Sequence, residues 1–163
     1  MGCFLLVCFY YLSREAAVVT VEMNQKKVIV VDCGHGGSDP GMIGIDGLKE
    51  KDFNLAIGLK VKDALEKRDF QVVMTRDTDT GLYEEASNNK KAQDMQKRIL
   101  LIQEVKPVLT VSIHQNSYED SGVKGPQVFY YRDSPQGEKL AKILQEKLNE
   151  YLQVERPREA KGN

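Results

Sequence analysis

Hydrophobic and polar positions divide the chain after its first 25 residues into four β-type runs and three helical stripes. "KKVIVVDC", residues 26–33, is a β-branched run that predicts a buried strand. Residues 50–68 place Phe53, Ile57, Val61, Ala64 and Leu65 on one stripe at helical spacing, which predicts an amphipathic helix. "FQVVMTR", 70–76, predicts a second strand, followed by a polar loop over 77–87. A second helix is expected from about Asn89 to Val105, with Ala92, Met95, Ile99 and Ile102 inward and Pro107 closing it. "VLTVSIH", 108–114, reads as a third strand, and "QVFYYR", 127–132, as a fourth after a turn at 122–126. Ser134-Pro135 joins an N-cap residue to proline at the first helical position. Leu140, Ile143, Leu144, Leu148 and Tyr151 then form the stripe of a third helix. The closing "VERPREAKGN" is polar and predicts no element of its own. Alternating strands and helices imply an α/β fold: a mostly parallel central sheet with helices on both faces, joined by right-handed crossovers.

The chemistry sits where this pattern breaks. Between the first strand and the first helix, residues 34–47 hold six glycines, and His35 stands between Gly34 and Gly36. The chain has two histidines, and the other, His114, closes the third strand. Both therefore fall at the carboxyl ends of strands expected to be parallel, the edge at which open α/β sheets bind ligands. Two imidazoles at one edge suit a metal ion, which for catalytic zinc takes a third protein ligand. Glu50, where the glycine loop returns to the first helix, fits that place, and Asp46 and Asp52 are rivals. Cys33 offers a thiolate two residues before His35, but the glycines flanking His35 predict that the strand ends there and that the two side chains do not share a face.

The glycine loop matches neither dinucleotide nor P-loop spacing, and no nucleophile elbow is present, which leaves metal-assisted hydrolysis as the reaction class. Asp32 is expected to accept the second ring N–H of a liganding histidine. Asn116, two residues after His114, is expected to face the same cleft and position substrate. Arg76 ends the second strand, where pairing with Asp77 or Asp79 is favoured over binding a substrate carboxylate.

Composition narrows the partners. At 163 residues with 41% hydrophobic and 29% charged positions, the chain is long enough for one domain with a real core. A net charge of −1 and the lack of a basic patch with interleaved aromatics argue against nucleic acid. The start is apolar: Gly2 to Leu12 carries no charge, yet is far shorter than the roughly 20 residues a membrane span needs. It reads as an export or anchoring segment, so that 1–26 is an apolar N-terminal segment with a linker and 27–163 the catalytic domain. Three cysteines without a CxxC imply no disulfide framework. A monomer is expected.

"VVDCGHGGSDPGMIGIDGLKEKDFNL", "VVMTRDTD" and "VSIHQNS", in this order and spacing, resemble the zinc-dependent N-acetylmuramoyl-L-alanine amidases of the amidase-3 family, over about Lys27 to Asn163. "NNKKAQDMQKR" and "QVFYY" are most similar to its spore-cortex (CwlD-like) branch. The resemblance implies zinc held by His35, Glu50 and His114. It implies hydrolysis of the amide between muramic acid and the L-alanine of the peptidoglycan stem peptide, on the cell-wall side of the membrane. In the spore branch this cut precedes formation of the muramic δ-lactam of cortex peptidoglycan. Cys33 stands where the family usually has proline. Members of the family continue to a further strand, whose glutamate serves as general acid/base, and a final helix. That glutamate is expected downstream of Asn163, and no residue here is assigned its role. Residues 1–163 are accordingly expected to hold zinc but turn over little. The competing expectations are a wall-binding or structural zinc domain of the same fold, and a zinc peptidase acting on free peptides.

Overall fold

The computed structural model describes residues 26–117 and 122–163. The apolar start, with its expected export or anchoring role, lies outside the described residues. Among those residues no helix is long and apolar enough to cross a membrane. The chain divides into two compact units, residues 1–116 and 117–163.

The first unit contains β1 (Val28–Cys33), α1 (Glu50–Glu66), β2 (Gln71–Met74), α2 (Lys90–Val105) and β3 (Leu109–Ile113). The strands form a parallel sheet in the order β2-β1-β3, with Val30 opposite Val73 on one side and Thr110 on the other. The β-branched run therefore takes the central place, where both edges are paired. Successive side chains of a strand point to opposite faces. Ile29, Val31 and Cys33 form the core cluster, packed against Leu55, Val61 and Leu65 of α1. Asp32 points the other way and meets Arg98 of α2. The two helices thus cover opposite faces, as the alternation of elements implied. At the start of α2, Asn89 caps the helix by accepting from the Ala92 N–H, and Lys106 ends it in a left-handed conformation one residue before Pro107.

The helices are turned relative to the expected stripes. In α1 the buried positions are Glu50, Lys51, Asn54 and Gly58, while Phe53 and Ile57 are exposed. Val61 and Leu65 of the expected stripe do pack on β1 with Leu55, but at Gly58 close fit decides the face: a Cβ there would lie 2.2 Å from the Cys33 Sγ. In α2 the buried residue is Arg98, and Met95 and Ile99 are exposed.

The second unit contains β4 (Phe129–Tyr130), α3 (Pro135–Tyr151) and β5 (Lys161–Gly162). Ser134 caps α3 by accepting from the Gly137 N–H, as its place before proline predicts. Ala141 and Gln145 are the buried positions of α3, whereas Leu140, Ile143, Leu144 and Tyr151 of the expected stripe are exposed. Gln145 accepts from the Val128 N–H and donates to the Pro126 carbonyl, fixing the approach to β4. The polar tail does carry an element, contrary to expectation: Lys161 and Gly162 pair in parallel with Phe129 and Tyr130. Two residues joined through their backbones need no hydrophobic pattern, so nothing in the side chains announces them.

Candidate metal centre

The site grows from the end of β1. The Gly34 N–H donates to the Ile113 carbonyl at 3.1 Å, carrying the pairing with β3 one residue past the strand. The chain then turns out of the sheet at His35, whose φ of 62° is left-handed. For a residue with a Cβ this conformation costs about 1–2 kcal/mol, so its surroundings must hold it. Gly34 is required by space: a Cβ there would lie 2.2 Å from Cε1 of the His114 ring. Gly41 is required twice over, by a φ of 68° and because its Cβ would fall 2.6 Å from Glu50 Oε2.

Glu50 begins α1. The first N–H groups of a helix lack partners within it. Here the loop supplies them, Glu50 N–H donating to Met42 and Lys51 N–H to Pro40, which pins the glycine loop onto the helix start. The Glu50 side chain is 3% exposed. Its Oε2 accepts from Met42 N–H and its Oε1 from Gln115 N–H, each at 2.8 Å, and Asn54 Nδ2 donates to Oε1 at 3.3 Å. Burial pushes the carboxyl pKa up, but these hydrogen bonds and the neighbouring His35 outweigh it and hold Glu50 below the usual glutamate value. The group is a carboxylate.

The three expected ligands meet. His35 Nε2 lies 3.3 Å from Glu50 Oε2, and His114 Nδ1 lies 3.0 Å from Glu50 Oε1. The imidazoles stand edge to face, 5.0 Å between centroids at 81°. One ligand atom from each residue lies within 4.8 Å of the other two. A carboxylate facing two imidazole nitrogens calls for a cation between them. Imidazole nitrogens and a carboxylate oxygen are the donors zinc takes, so the donor set fits the metal. The His114 side chain is 44% exposed, which leaves one side of the centre open.

The outer nitrogen of His35 is held by Asp39, not Asp32. Nδ1 lies 2.8 Å from Asp39 Oδ2, while Asp39 Oδ1 accepts from the Gly41 N–H. Asp39 is held below the usual aspartate value, burial being outweighed by its bond to His35 and the Gly41 N–H. An ionised partner on Nδ1 orients the ring so that Nε2 faces Glu50. Asp32 is occupied elsewhere: its oxygens receive Arg98 Nη1, Thr75 Oγ1 and Ser112 Oγ.

Arg76 also departs from expectation. It is buried, and donates to the carbonyls of Cys33, Gly34, Lys51 and Thr78 rather than pairing with Asp77 or Asp79. Asp79 instead accepts from Lys51 Nζ at 2.6 Å and from the Gly37 N–H, and Tyr83 Oη accepts from the Ser38 N–H. The polar loop after β2 thus clasps the glycine loop. Cys33 is fully buried, where its surroundings push the thiol pKa up and its sulfur faces α1. Asp46 and Asp52 are exposed and stand outside the cluster. Asn116 is exposed beyond β3, and its neighbour Gln115 is the residue that reaches Glu50 and Asn54. Asp39, Asn54 and Gln115 escaped the sequence reading, and Arg98 entered it only as the last residue of "NNKKAQDMQKR", with no role assigned. Among the three that escaped, Asn54 alone carried a usable signal, four residues after Glu50 on the same helical face.

A parallel sheet edge that presents two imidazoles and an ionised carboxylate, with one side open, offers a donor set suited to a metal ion. The family model for N-acetylmuramoyl-L-alanine amidase, amidase-3, matches residues 29–163, and the chain belongs to that family. It is 38% identical over 130 residues to the germination-specific N-acetylmuramoyl-L-alanine amidase of Bacillus subtilis, covering 78% of this chain and 54% of that protein. Among solved structures it is similar to the CwlD amidase from Clostridioides difficile in complex with the GerS lipoprotein, at 36% identity and a TM-score of 0.81, over 85% of this chain and 73% of that one. The amidase AmiC2 of Nostoc punctiforme gives a TM-score of 0.70 at 33% identity, over 85% of this chain and 70% of that one. The chain spans about half the length of the Bacillus relative.

Proposed function

We propose that this protein is a zinc-dependent N-acetylmuramoyl-L-alanine amidase whose metal ligands are His35, Glu50 and His114, within a catalytic domain that includes residues 27–163. The observation that carries the reading is that one donor atom each from His35, His114 and a buried, ionised Glu50 lie within 4.8 Å of one another. Bound there, zinc supplies Lewis acidity to the scissile carbonyl and to a nucleophilic water. The chain's own residues do the rest of what can be assigned. Met42 and Gln115 N–H groups keep Glu50 charged, Asp39 orients the His35 ring so that Nε2 faces Glu50, and Gly34 lets the His114 ring lie over the end of β1. In this reading the lactyl–alanyl amide enters at the exposed side of His114, and Asn116, exposed two residues further on, is the candidate to hold it. Hydrolysis delivers hydroxide to the lactyl carbonyl carbon and a proton to the departing L-alanine nitrogen.

Peptidoglycan as the substrate makes the cell-wall side of the membrane the place of action. The likeness to a germination-specific amidase supports cortex peptidoglycan of the spore, and muramic δ-lactam formation, as the setting. The test combines metal analysis with product analysis. Wild-type protein is expected to hold one equivalent of zinc and to release L-alanyl peptides from purified peptidoglycan, and His35→Ala with His114→Ala to lose both. Stoichiometric zinc in the double variant would refute the ligand assignment. Zinc without peptide release by the full-length protein would leave a structural zinc domain.

A further inference from the structure

We propose that Arg98 is a positioning residue for the metal centre: it holds the His35 carbonyl, keeps His35 in its left-handed turn, and thereby sets the affinity for zinc. The inference rests on His35 being a zinc ligand. Three successive carbonyls, those of Cys33, Gly34 and His35, receive arginine N–H groups. Arg76 serves the first two, at 2.9 and 3.1 Å. Arg98 serves the first and the third, at 2.9 and 2.8 Å. The bond to His35 is the informative one, because it acts on the residue whose φ is 62°.

The guanidinium of Arg98 cannot follow if that carbonyl moves. Its Nε is tied to Asp94 at 2.6 Å, and its Nη1 to Asp32 at 2.6 Å and Thr75 at 3.0 Å. Asp32 is in turn fixed by Thr75 and Ser112. The fork is planar and its donors have fixed directions, so anchoring two corners determines where Nη2 points. A cation needed only to neutralise Asp32 and Asp94 would have no reason to extend to the backbone of the glycine loop. Other bonds hold the neighbours and the ring of His35: Arg76 the Gly34 carbonyl, Asp39 the Gly36 backbone and the His35 Nδ1. The Arg98 bond is the one that acts on the His35 carbonyl, and without it the left-handed turn loses that restraint. The His35 Nε2 then departs from Glu50 Oε2, which the Met42 N–H holds in place.

Arg98→Lys is the discriminating variant, since one ammonium keeps a charge beside Asp32 and Asp94 but cannot span Asp32 and the His35 carbonyl. Zinc affinity is measured by competition with a chelator, coordination by the visible spectrum of the cobalt-loaded protein, and apo-protein stability by urea unfolding. Arg98→Lys is expected to weaken zinc by about 10–100-fold, the usual range for groups that orient a metal ligand, and to alter the cobalt bands. Ser112→Ala removes a donor to Asp32 without contacting His35. It is expected to lower the urea midpoint while zinc affinity and cobalt spectrum stay as in the wild type. Wild-type zinc affinity in a folded Arg98→Lys protein overturns the proposal, as does loss of zinc in both variants in proportion to lost stability. If Arg98→Lys does not fold, Asp94→Asn takes its place, since the amide keeps an acceptor for the Leu82 N–H while weakening the Nε corner: weakened zinc supports the grip and unchanged zinc overturns it. His35→Ala separates the two levels. Zinc retained there refutes His35 as a ligand, and the proposal with it. Zinc lost there but unchanged in Arg98→Lys refutes the role of Arg98 alone.

Discussion

The two faces of β1 are built from opposite materials. Toward α1 the strand presents Ile29, Val31 and Cys33 to a wholly apolar cluster. Toward α2 it presents Asp32 to Arg98, Thr75 and Ser112, every bond between 2.6 and 2.9 Å. Apolar burial is non-directional: it rewards area removed from water and tolerates small rotations of the helix laid over it. A buried ion pair gains little net stability, because the desolvation of both ions offsets much of their attraction, but it is exacting in geometry. The face that ensures folding is therefore the one least suited to placing a ligand atom. The face that places His35 is the one that adds least to folding. Only two residues separate Asp32 from His35, so the exacting face leads directly into the site.

Breaking each face should reveal this asymmetry. Asp32→Ala is expected to have the largest effect on folding, about 3–5 kcal/mol in urea unfolding, because it strands the Arg98 charge in the interior. Arg98 is 4% exposed, and Asp94 alone would remain to pair with it. Zinc affinity should fall in the same variant, since Arg98 loses an anchor. Val31→Ala follows at about 2–3 kcal/mol, two methyl groups plus the cavity they leave. There the apo protein weakens but the zinc affinity of the folded fraction holds. Equal effects of the two variants on zinc would mean that the faces are not specialised at all.

The same asymmetry explains what the sequence made legible. β1 was readable because a buried parallel strand is a run of β-branched residues, and His35 because glycines on both sides exclude ordinary packing. β2 and β3 were readable as strands, but the burial expected of β3 is not met, since its apolar positions are half-buried and alternate with exposed Thr110 and Ser112. Glu50 was readable as the first residue of a helix that returns to the same edge. The helix faces were legible only in part, Val61 and Leu65 of the expected α1 stripe packing on β1, because the stripe method assumes that the inward side is wholly apolar. In α1 the inward residues include Asn54, needed by the Gly34 carbonyl, and Gly58, needed by Cys33. In α2 the inward residue is Arg98, and its partners Asp32 and His35 lie 66 and 63 residues away. No local pattern encodes a pairing at that distance. Asp39 was missed because a loop has no periodicity from which a contact four residues away can be inferred.

Acid should erode the polar face and leave the apolar one untouched. Burial pushes the Asp32 pKa up, yet the Ser112 hydroxyl, the charge and hydrogen bond of Arg98, and Thr75 carry it below the ordinary aspartate value. A carboxyl depressed in the folded state contributes stability that is full above the unfolded value, about 3.9, and is lost as pH falls through the folded value. The difference in stability between wild type and Asp32→Asn should therefore be constant from neutrality to about pH 4 and shrink below it. For Val31→Ala the difference from wild type should stay level across the same range. A gap for Asp32→Asn that persisted undiminished to the acid limit of folding would show that Asp32 is not depressed.

The smallest expected effect on folding comes from Gly34→Ala, and it sharpens the comparison most. Gly34 lies just past the end of β1, between the faces and the site, and its backbone does not require glycine: its φ is outside the left-handed region. What alanine meets is the His114 ring, with Cε1 at 2.2 Å and Nε2 at 2.3 Å from the new Cβ. That ring is partly in solvent and can swing away, so the urea midpoint should move by less than about 1 kcal/mol, the range of a surface adjustment. Swinging away removes His114 Nδ1 from Glu50 Oε1, so zinc binding should fall as far as it does in His114→Ala. Stability and metal affinity would then be lost separately, the first by Val31→Ala and the second by Gly34→Ala, at positions three residues apart on one stretch of chain. Retention of zinc by a folded Gly34→Ala protein would mean that the His114 ring binds from some other place than over the end of β1.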